Sequence, residues 1–478
     1  MTYLEPSTSN VDEPFPSQDP DCDPLERQYE ELRERNAVQS PIYVLPPEIL
    51  SLIFQFVCPS LNLNKHYGIE QEGGKSTRRF QFNLSAVSAF WRQVVFSTPH
   101  LWTSVDISTQ PISVGHASEI LRVFFTGSGE LPISIGLSFF HLLDVDEMAS
   151  PISPNYPKSR IQELHLNQPP ESLISDLTSS YTSLFRLSIS SPQYKAKVLS
   201  LDVPCSHLTL QHTTMRVELH SATITNLHLR ELREDVCLEL LKVCVNMVEF
   251  RCRSPNSENF PIPLPTSPFT LPHLKTLEWS LCTQSIVDRA MLRNIRVPAL
   301  ETLVWVEEDD EDLEVTDPRI TFFEHLPPTL STLQMDGPTD GFEFSSAASD
   351  LIRRELNVDH LLMRNCHGKN INSLLHDLIL NEEKPERPIG LPRLKTITIH
   401  YSANQPLISV NFDTLLQVVE SRLRHRSQSF PQRSMHLNMF VDSGLVDWPI
   451  EFKEGVKDLV RRGLEVEFTE KSVPISWL

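Results

Sequence analysis

A short apolar pattern occurs ten times between residues 161 and 399, and this repetition restricts the possible folds more than any other feature of the chain. Each copy has an apolar residue, two further residues, a second apolar residue, one further residue and a third apolar residue. The copies are Ile161, Leu164, Leu166; Leu184, Leu187, Ile189; Cys205, Leu208, Leu210; Ile224, Leu227, Leu229; Val245, Val248, Phe250; Leu274, Leu277, Trp279; Leu300, Leu303, Trp305; Leu330, Leu333, Met335; Val358, Leu361, Met363; and Leu394, Ile397, Ile399. Because alternate residues of a strand face the same side, each copy predicts a strand that buries its second and third apolar residues.

The spacing of the copies predicts a repeat architecture. Successive second residues are 23, 21, 19, 21, 29, 26, 30, 28 and 36 positions apart, and most of these values fall near the period of about 20–29 residues of leucine-rich repeats. One repeat cannot bury its apolar face alone, so parallel stacking of neighbours would supply the core. The alternative is a set of unrelated strands in an ordinary α/β domain.

Prolines and helical segments alternate with the predicted strands. Pro272, Pro298, Pro328 and Pro392 each precede the second apolar residue of a copy by five positions, where proline ends the preceding segment and restricts entry into the strand. Helices are predicted over 236–245, 285–295, 371–380 and 412–424. The basic residues Arg422, Arg424 and Arg426 then predict a solvated helix end.

The N-terminal region has a different composition. Residues 1–24 are acidic and contain few apolar groups, which predicts a disordered tail because such a segment cannot offset its ordering entropy. Residues 25–43 are expected to hold a short charged helix and a linker.

Two amphipathic helices are predicted between residues 44 and 105. Pro47 suits a first helical turn, and the apolar residues that follow it lie on one helical face. That face consists of Ile49, Leu50, Ile53, Phe54 and Val57. A second face consists of Val87, Phe90, Trp91, Val94 and Val95. The polar segment 58–79 between them predicts an inserted loop.

Charge and cysteine content exclude several function classes. The formal net charge is −20, so binding to nucleic acid, which needs clustered Lys and Arg, is not expected. No apolar stretch is long enough to span a membrane, and no signal peptide is expected. The eight cysteines are scattered, which favours reduced thiols in the cytoplasm, the nucleus or both.

No catalytic or cofactor motif occurs. The chain has only 14 glycines, and it lacks nucleophile-elbow, zinc-protease, P-loop and dinucleotide-binding patterns. The acidic run Glu307 to Asp312 lacks the spaced ligands and turn glycine of a calcium loop. We therefore expect no enzymatic activity, no cofactor and no metal site.

The segment LPPEILSLIF (residues 45–54), with VSAFWR (87–92) and PHLW (99–102), resembles the F-box. It is most similar to the F-box proteins of mushroom-forming fungi, in which an irregular leucine-rich array follows. The resemblance implies a small helical F-box at 44–105 and an α/β solenoid at 106–470 with parallel strands on its inner face. It also implies docking on a Skp-type adaptor, and through it on a cullin–RING ubiquitin ligase. The core and adaptor-binding face of the unit would be formed by Leu45, Pro46, Ile49, Leu50, Ile53, Phe54, Val87, Trp91 and Trp102. The loop at 58–79 is longer than in most F-boxes.

A substrate-binding surface follows from strand geometry, because residues that flank a buried pair face the other way. The candidates are His165, His228, Arg230, Glu278, Gln334, His360, Arg364 and His400. Their mixed polarity fits a protein substrate, whose identity the sequence does not give. The predicted function is substrate recognition for an SCF-type ubiquitin ligase. The alternative is a leucine-rich-repeat interaction scaffold with no role in ubiquitin transfer.

Overall fold

The computed structural model describes most of the chain as two compact units. The described residues are 27–28, 31–32, 34–35, 41–58, 80–108, 114–139, 152, 156–170, 173–174, 177, 181–190, 198–213, 215–219, 222–255, 264–281, 285–307, 318–337, 346–379, 390–401, 410–429, 435–441, 448–470 and 473–475. The predicted acidic tail and most of the predicted loop at 58–79 lie outside them. The described residues between 27 and 101 form a helical unit, and those from Trp102 onward form a sheet unit.

Between residues 41 and 101, the described part of the helical unit forms three α-helices: α1 (Pro47–Val57), α2 (Phe80–Val87) and α3 (Ala89–Phe96). A 3-10 turn at Pro41–Val44 precedes α1. The prediction of α1 and α3 is confirmed, whereas α2 was not predicted. The described residues of segment 25–37 are helical, as expected.

The sheet unit is mixed α/β and is built around one large, mostly parallel sheet. Its strands are β1 (Ser104–Ser108), β2 (Ile133–Ser138), β3 (Ile161–Asn167), β4 (Arg186–Ser190), β5 (Val198–Leu201), β6 (His207–Gln211), β7 (Arg216–Leu219), β8 (Asn226–Arg230), β9 (Glu249–Arg253), β10 (Phe269–Thr270), β11 (Thr276–Leu281), β12 (Ile295–Arg296), β13 (Thr302–Glu307), β14 (Thr332–Asp336), β15 (His360–Arg364), β16 (Thr396–Tyr401), β17 (Met435–Val441), β18 (Leu464–Glu470) and β19 (Val473–Pro474). Fifteen of them form the large sheet in chain order, without β5, β7, β10 and β12. These four pair as two small parallel sheets, β5 with β7 and β10 with β12. Within the large sheet only β19 runs antiparallel to its neighbour.

Helices fill many of the connections between strands. They are α4 (Val114–Gly127), α5 (Glu234–Val243), α6 (Ile286–Asn294), α7 (Pro318–Glu324), α8 (Ser346–Arg353), α9 (Gly368–Leu378), α10 (Phe412–Ser429) and α11 (Ile450–Arg461). The four helices predicted in this region correspond to α5, α6, α9 and α10. None of the helices within the described ranges combines the length and the apolar character needed to cross a bilayer.

All ten predicted strands are present as neighbours in the large sheet, from β3 to β16. In nine of them the predicted second and third apolar residues are buried. The prediction is wrong for β9, where Phe250 and Cys252 are buried and Val248 is partly exposed. Phe250 lies opposite Leu227 and Leu277 in the neighbouring strands. The segment fits the pattern in two registers, because Met247, Phe250 and Cys252 have the same spacing as Val245, Val248 and Phe250.

A proline turn leads into several strands. Pro272, Pro298 and Pro392 each occupy the second position of a turn in which the fourth residue's N–H donates to the first residue's carbonyl. That bond joins Leu274 to Leu271, Leu300 to Val297, and Leu394 to Leu391. Proline suits this position because its ring already fixes the required φ angle. The flanking apolar residues are buried, so the turn holds the strand entry against the core.

A buried arginine connects two helices of the sheet unit. Because α10 extends to Ser429, Arg422 lies inside the helix rather than at a solvated end, and its side chain is buried. Its guanidinium donates to the carbonyl oxygens of Leu378, Gly390 and Leu391 at 3.0, 2.6 and 2.8 Å. Leu378 is the last residue of α9, where the helix dipole favours a cation. In these contacts, backbone carbonyl dipoles rather than a carboxylate stabilise the charge of Arg422.

Replacement of Arg422 by methionine is expected to lower the free energy of unfolding by about 3 kcal/mol or more, because three buried carbonyl oxygens lose their donor. Urea denaturation of Arg422→Met measures this loss. The control Arg424→Met removes an exposed arginine paired with Glu420 in the same helix and should cost only about 0–1 kcal/mol. Equal losses in the two variants would contradict the capping role of Arg422.

Candidate functional site

The helical unit is held together by short polar contacts that fix its three helices. The Ser88 hydroxyl caps α3 by accepting from the backbone N–H of Trp91 at 3.1 Å. Gln81, which is buried, donates from α2 to the carbonyl oxygen of Leu101 at 2.8 Å. The Thr98 hydroxyl donates to the carbonyl oxygen of Val94 at 2.7 Å and lies 2.9 Å from Ser51 Oγ in α1. The contact between Thr98 and Ser51 holds α1 against the segment that follows α3.

Helix α1 has apolar residues on two sides. Leu50 and Phe54 face inward and are buried, and the ring of Phe54 packs on Trp91 with centroids 4.8 Å apart. A second set remains exposed and forms what we call the apolar stripe: Ile49, Leu52, Ile53, Phe56 and Val57. Residues three and four positions apart lie side by side on a helix, so the stripe is continuous along α1.

The side chains of the apolar stripe are highly exposed. Phe56 has 92% of its surface exposed and Leu52 has 60%. Contiguous apolar surface of this kind is typical of a protein-interaction site. The N-terminal proline at the first position of α1 and Glu48 in its first turn stabilise the helix independently of any partner. The stripe is therefore presented on a preformed helix.

Three of the nine residues predicted to form the core and adaptor-binding face are buried inside the protein. Leu50 and Phe54 form the core of the helical unit. Trp102 belongs to the sheet unit, where its ring packs edge-on against Phe124, with centroids 5.2 Å apart. Gly127 lies so close that a Cβ atom there would come within 2.6 Å of the Trp102 ring.

The other predicted docking residues are accessible. Ile49, Ile53, Pro46 and Val87 are exposed, and Leu45 and Trp91 are partly buried. The sequence analysis missed Leu52 and Phe56, which are the most exposed members of the stripe. Leu52 and Phe56 directly precede Ile53 and Val57 of the predicted helical face. A short helix in a small unit cannot bury apolar residues on every side, so the sequence indicated that some of them must be exposed.

The sheet unit presents a polar face opposite its apolar core. This polar face consists of the strand residues that alternate with the buried pairs. Its row nearest the carboxyl ends of the strands is Asn167, Ser190, Gln211, Arg230, Arg253, Ser280, Val306, Asp336, Arg364, His400, Phe440 and Thr469. Seven of the eight predicted substrate-binding residues lie on this face as half-buried or buried groups, and Arg364 is exposed.

Ion pairs neutralise the centre of the polar face. Glu278 is fully buried and pairs with Arg251, whose Nη1 lies 3.1 Å from it, and with Nε of Arg253. Arg253 also donates from Nη2 to Asp336 at 3.0 Å, although the two residues are three strands apart in the sheet. Gln334 donates to the second oxygen of Asp336 at 3.1 Å. Glu278 and Gln334 are therefore structural members of a network rather than free contact groups.

The network continues towards β8 through Glu249. His228 Nε2 lies 3.0 Å from Glu249 Oε1, Asn226 donates to Oε2 at 3.0 Å, and Arg251 donates from Nε. The bond from His228 and the neighbouring Arg251 lower the pKa of Glu249 to about 2, although burial opposes this shift. Glu249, Arg251 and Arg253 were missed in the sequence analysis because the register of β9 was misassigned.

A second polar group lies on β15 to β17. His360 Nε2 and Thr398 Oγ1 are 2.9 Å apart, and Asn438 donates to the same hydroxyl at 3.3 Å. Burial lowers the pKa of His360, which favours its neutral form. His400 stacks on Phe440 with ring centroids 4.6 Å apart.

Two predicted contact residues, His165 and Arg230, lie outside these polar groups. His165 is buried. The guanidinium of Arg230 has a carboxylate oxygen of Glu231 3.5 Å away.

Within the described ranges, no group of three or more histidine, cysteine, aspartate or glutamate side chains is arranged to hold a metal ion. Searches against models of known protein families and against curated protein sequences find no match to this chain.

The charge network predicts a large stability cost for Glu278→Gln. Two arginines would lose the buried carboxylate that they share, and removal of one partner from a buried ion pair typically costs about 3–5 kcal/mol. Urea denaturation measures this cost. The control Glu301→Gln breaks a half-exposed pair with Lys275 and should cost about 0–1 kcal/mol. A small effect of Glu278→Gln would show that the network is not energetically coupled.

The low pKa of Glu249 predicts a pH-dependent contribution to stability. A carboxyl group whose pKa is lowered by folding stabilises the folded state above its unfolded pKa, and this contribution is lost as the pH falls from 4.5 towards about 2. The difference in unfolding free energy between the wild type and Glu249→Gln should therefore decrease as the pH falls below 4.5. A gap that persists unchanged at lower pH would contradict this assignment.

Proposed function

We propose that this chain is the substrate-recognition adaptor of an SCF-type cullin–RING ubiquitin ligase. The helical unit would be an F-box that docks on a Skp-type adaptor, and the sheet unit would be an irregular leucine-rich-repeat-like array that binds a protein substrate. The observation that carries the proposal is the apolar stripe of α1, which follows the F-box-like start Leu45-Pro46.

The stripe supports docking by its chemistry. Ile49, Leu52 and Phe56 are exposed on a helix whose other side is already packed. Burial of apolar side chains against a partner contributes about 25 cal/mol per Å² of covered surface, and large buried aromatic residues dominate the energy of many interfaces. A partner with an apolar groove would therefore gain most of its affinity from Phe56 and its neighbours.

The sheet unit supports substrate binding by its regular arrangement. Its parallel strands follow chain order, and their equivalent positions are in register from β3 to β18. Such stacking brings side chains from many short segments onto one surface, as in repeat proteins that bind other proteins. The surface is polar and largely neutralised, which suits selective recognition better than general attraction.

The proposed mechanism is proximity. An adaptor that binds the ligase at one unit and a substrate at the other converts a bimolecular transfer into an effectively intramolecular one. The ubiquitin-conjugating enzyme would supply the chemistry, so no side chain of this chain needs to act as a nucleophile.

The test is the affinity of the purified chain for a Skp-type adaptor, measured for the wild type and for Phe56→Asp and Leu52→Asp. Both positions are exposed, so the variants should remain folded, which circular dichroism checks. Each substitution places a charge in the proposed interface and should weaken binding by about 2 kcal/mol or more, roughly 30-fold.

A matched control is Ile450→Asp. Ile450 is also an exposed apolar residue of a helix, but it begins α11 of the sheet unit. This variant should bind the adaptor like the wild type. Absence of binding by the folded wild type, or equal loss in all three variants, would reject the adaptor role and leave an interaction scaffold.

A further inference from the structure

Arg364 differs from the other arginines of the polar face. Arg186, Arg230, Arg251 and Arg253 each have a carboxylate of this chain within ion-pair distance. Arg364 is exposed at the end of β15, and within the described part of the chain its guanidinium makes no ion pair or hydrogen bond. Its nearest acid across the strand register, Asp336, is buried and already accepts from Arg253 and Gln334.

Partly exposed apolar side chains lie on both sides of Arg364 in the same row. Val306 is two strands away on β13, and Phe440 is two strands away on β17. Neighbouring strands are about 4.8 Å apart, so each apolar group lies about 9.6 Å from Arg364 along the row. An exposed guanidinium whose charge acts on Asp336, but which has no hydrogen-bond or ion-pair contact with the described residues, therefore lies between two apolar contact points.

We propose that this row binds an extended peptide of a protein partner that carries a carboxylate side chain at its centre and apolar side chains three positions before and after it. The carboxylate would pair with Arg364, and the apolar side chains would contact Val306 and Phe440. The proposal rests on the proposed role of the polar face in substrate binding, but not on docking to a ligase.

The spacing specifies the conformation of the peptide. In a polyproline-II helix, residues three apart point the same way and are about 9.3 Å apart, which matches the spacing of the row. In a β-strand, residues three apart face opposite sides. A polyproline-II segment that crosses the strands would therefore reach all three contact points.

The charge of the site favours a carboxylate over a phosphate group. One guanidinium matches one carboxylate in a two-bond fork, whereas a phosphorylated side chain carries close to two negative charges. Arg253 is not available as a second cation, because it is shared between Glu278 and Asp336. The Asp336 carboxyl beside Arg364 would also disfavour a dianion.

Isothermal titration of the purified full chain with a synthetic end-blocked peptide, Leu-Pro-Pro-Glu-Pro-Pro-Leu, tests the proposal. The prolines hold the probe in the polyproline-II conformation. Peptides with Gln or phosphoserine in place of Glu, or with Ala in place of both Leu residues, test the charge and the apolar contacts. We expect saturable binding of the Glu peptide and at least about tenfold weaker binding of the other three.

Protein variants locate the binding site. Arg364→Gln should weaken binding of the Glu peptide at least about tenfold, and Arg461→Gln, which changes an exposed arginine of α11, should leave it unchanged. Arg364→Glu should abolish binding of the Glu peptide and bind a Lys-substituted peptide instead. Such a reversal of specificity requires direct contact rather than a change in stability.

The outcomes separate this proposal from the adaptor role. Absence of saturable binding, equal affinity for the Glu and Gln peptides, or no effect of Arg364→Gln would overturn it, and tighter binding of the phosphoserine peptide would replace it with phosphopeptide recognition. Arg364→Gln should not alter affinity for a Skp-type adaptor. Peptide binding without adaptor binding would support this inference and reject only the ligase role.

Discussion

Register between parallel strands is the constraint on which the sheet unit depends. From Leu164 of β3 to Ile397 of β16, each strand places a large apolar residue opposite the equivalent residue of its neighbour. A shift of one residue in any strand would move its apolar pair to the polar face and its polar residues into the core. The proline turn before several strands helps to prevent this, because it holds the strand entry at one position relative to the preceding turn. The packing of the core and the arrangement of side chains on the polar face thus both depend on the register between the parallel strands.

The same alignment creates an electrostatic problem, because side chains at equivalent positions of neighbouring strands lie only about 5 Å apart. Like charges at such positions would repel each other. Arg230 and Arg253 are such a pair, and the charge of Arg253 is offset by Glu278 and Asp336, both of which it contacts. A left-handed residue also follows the last residue of several strands, at Gln168, His212, Glu231, Ser254 and Asn365. There the backbone N–H of Gln168, His212 and Glu231 continues the ladder to the next strand, so the pairing extends to the carboxyl ends.

Much of this architecture could be predicted from sequence because the apolar pattern is local and repeated. It predicted all ten central strands and four of the helices, but it could not choose between two registers at β9, where Met247 and Val248 are both apolar. That choice depends on Leu227 and Leu277 in the neighbouring strands, which a local pattern does not contain. Burial of polar side chains was missed for a similar reason. Glu278 was predicted to contact a substrate. Its burial depends on two arginines 25 and 27 positions away, which the local pattern does not contain.

Helix α1 shows why the exposed side of a short apolar helix is harder to predict than its buried side. Its apolar residues satisfy helical periodicity on both sides, so the pattern alone does not say which side faces inward. The inward side is chosen by its partners: Phe54 packs on Trp91, and Ser51 approaches Thr98. Once Leu50 and Phe54 are buried, Leu52 and Phe56 must point outward, because residues two positions apart on a helix cannot share a face. An apolar stripe outside a packed core therefore adds no stability to the isolated unit, and no stability requirement marks it in the sequence.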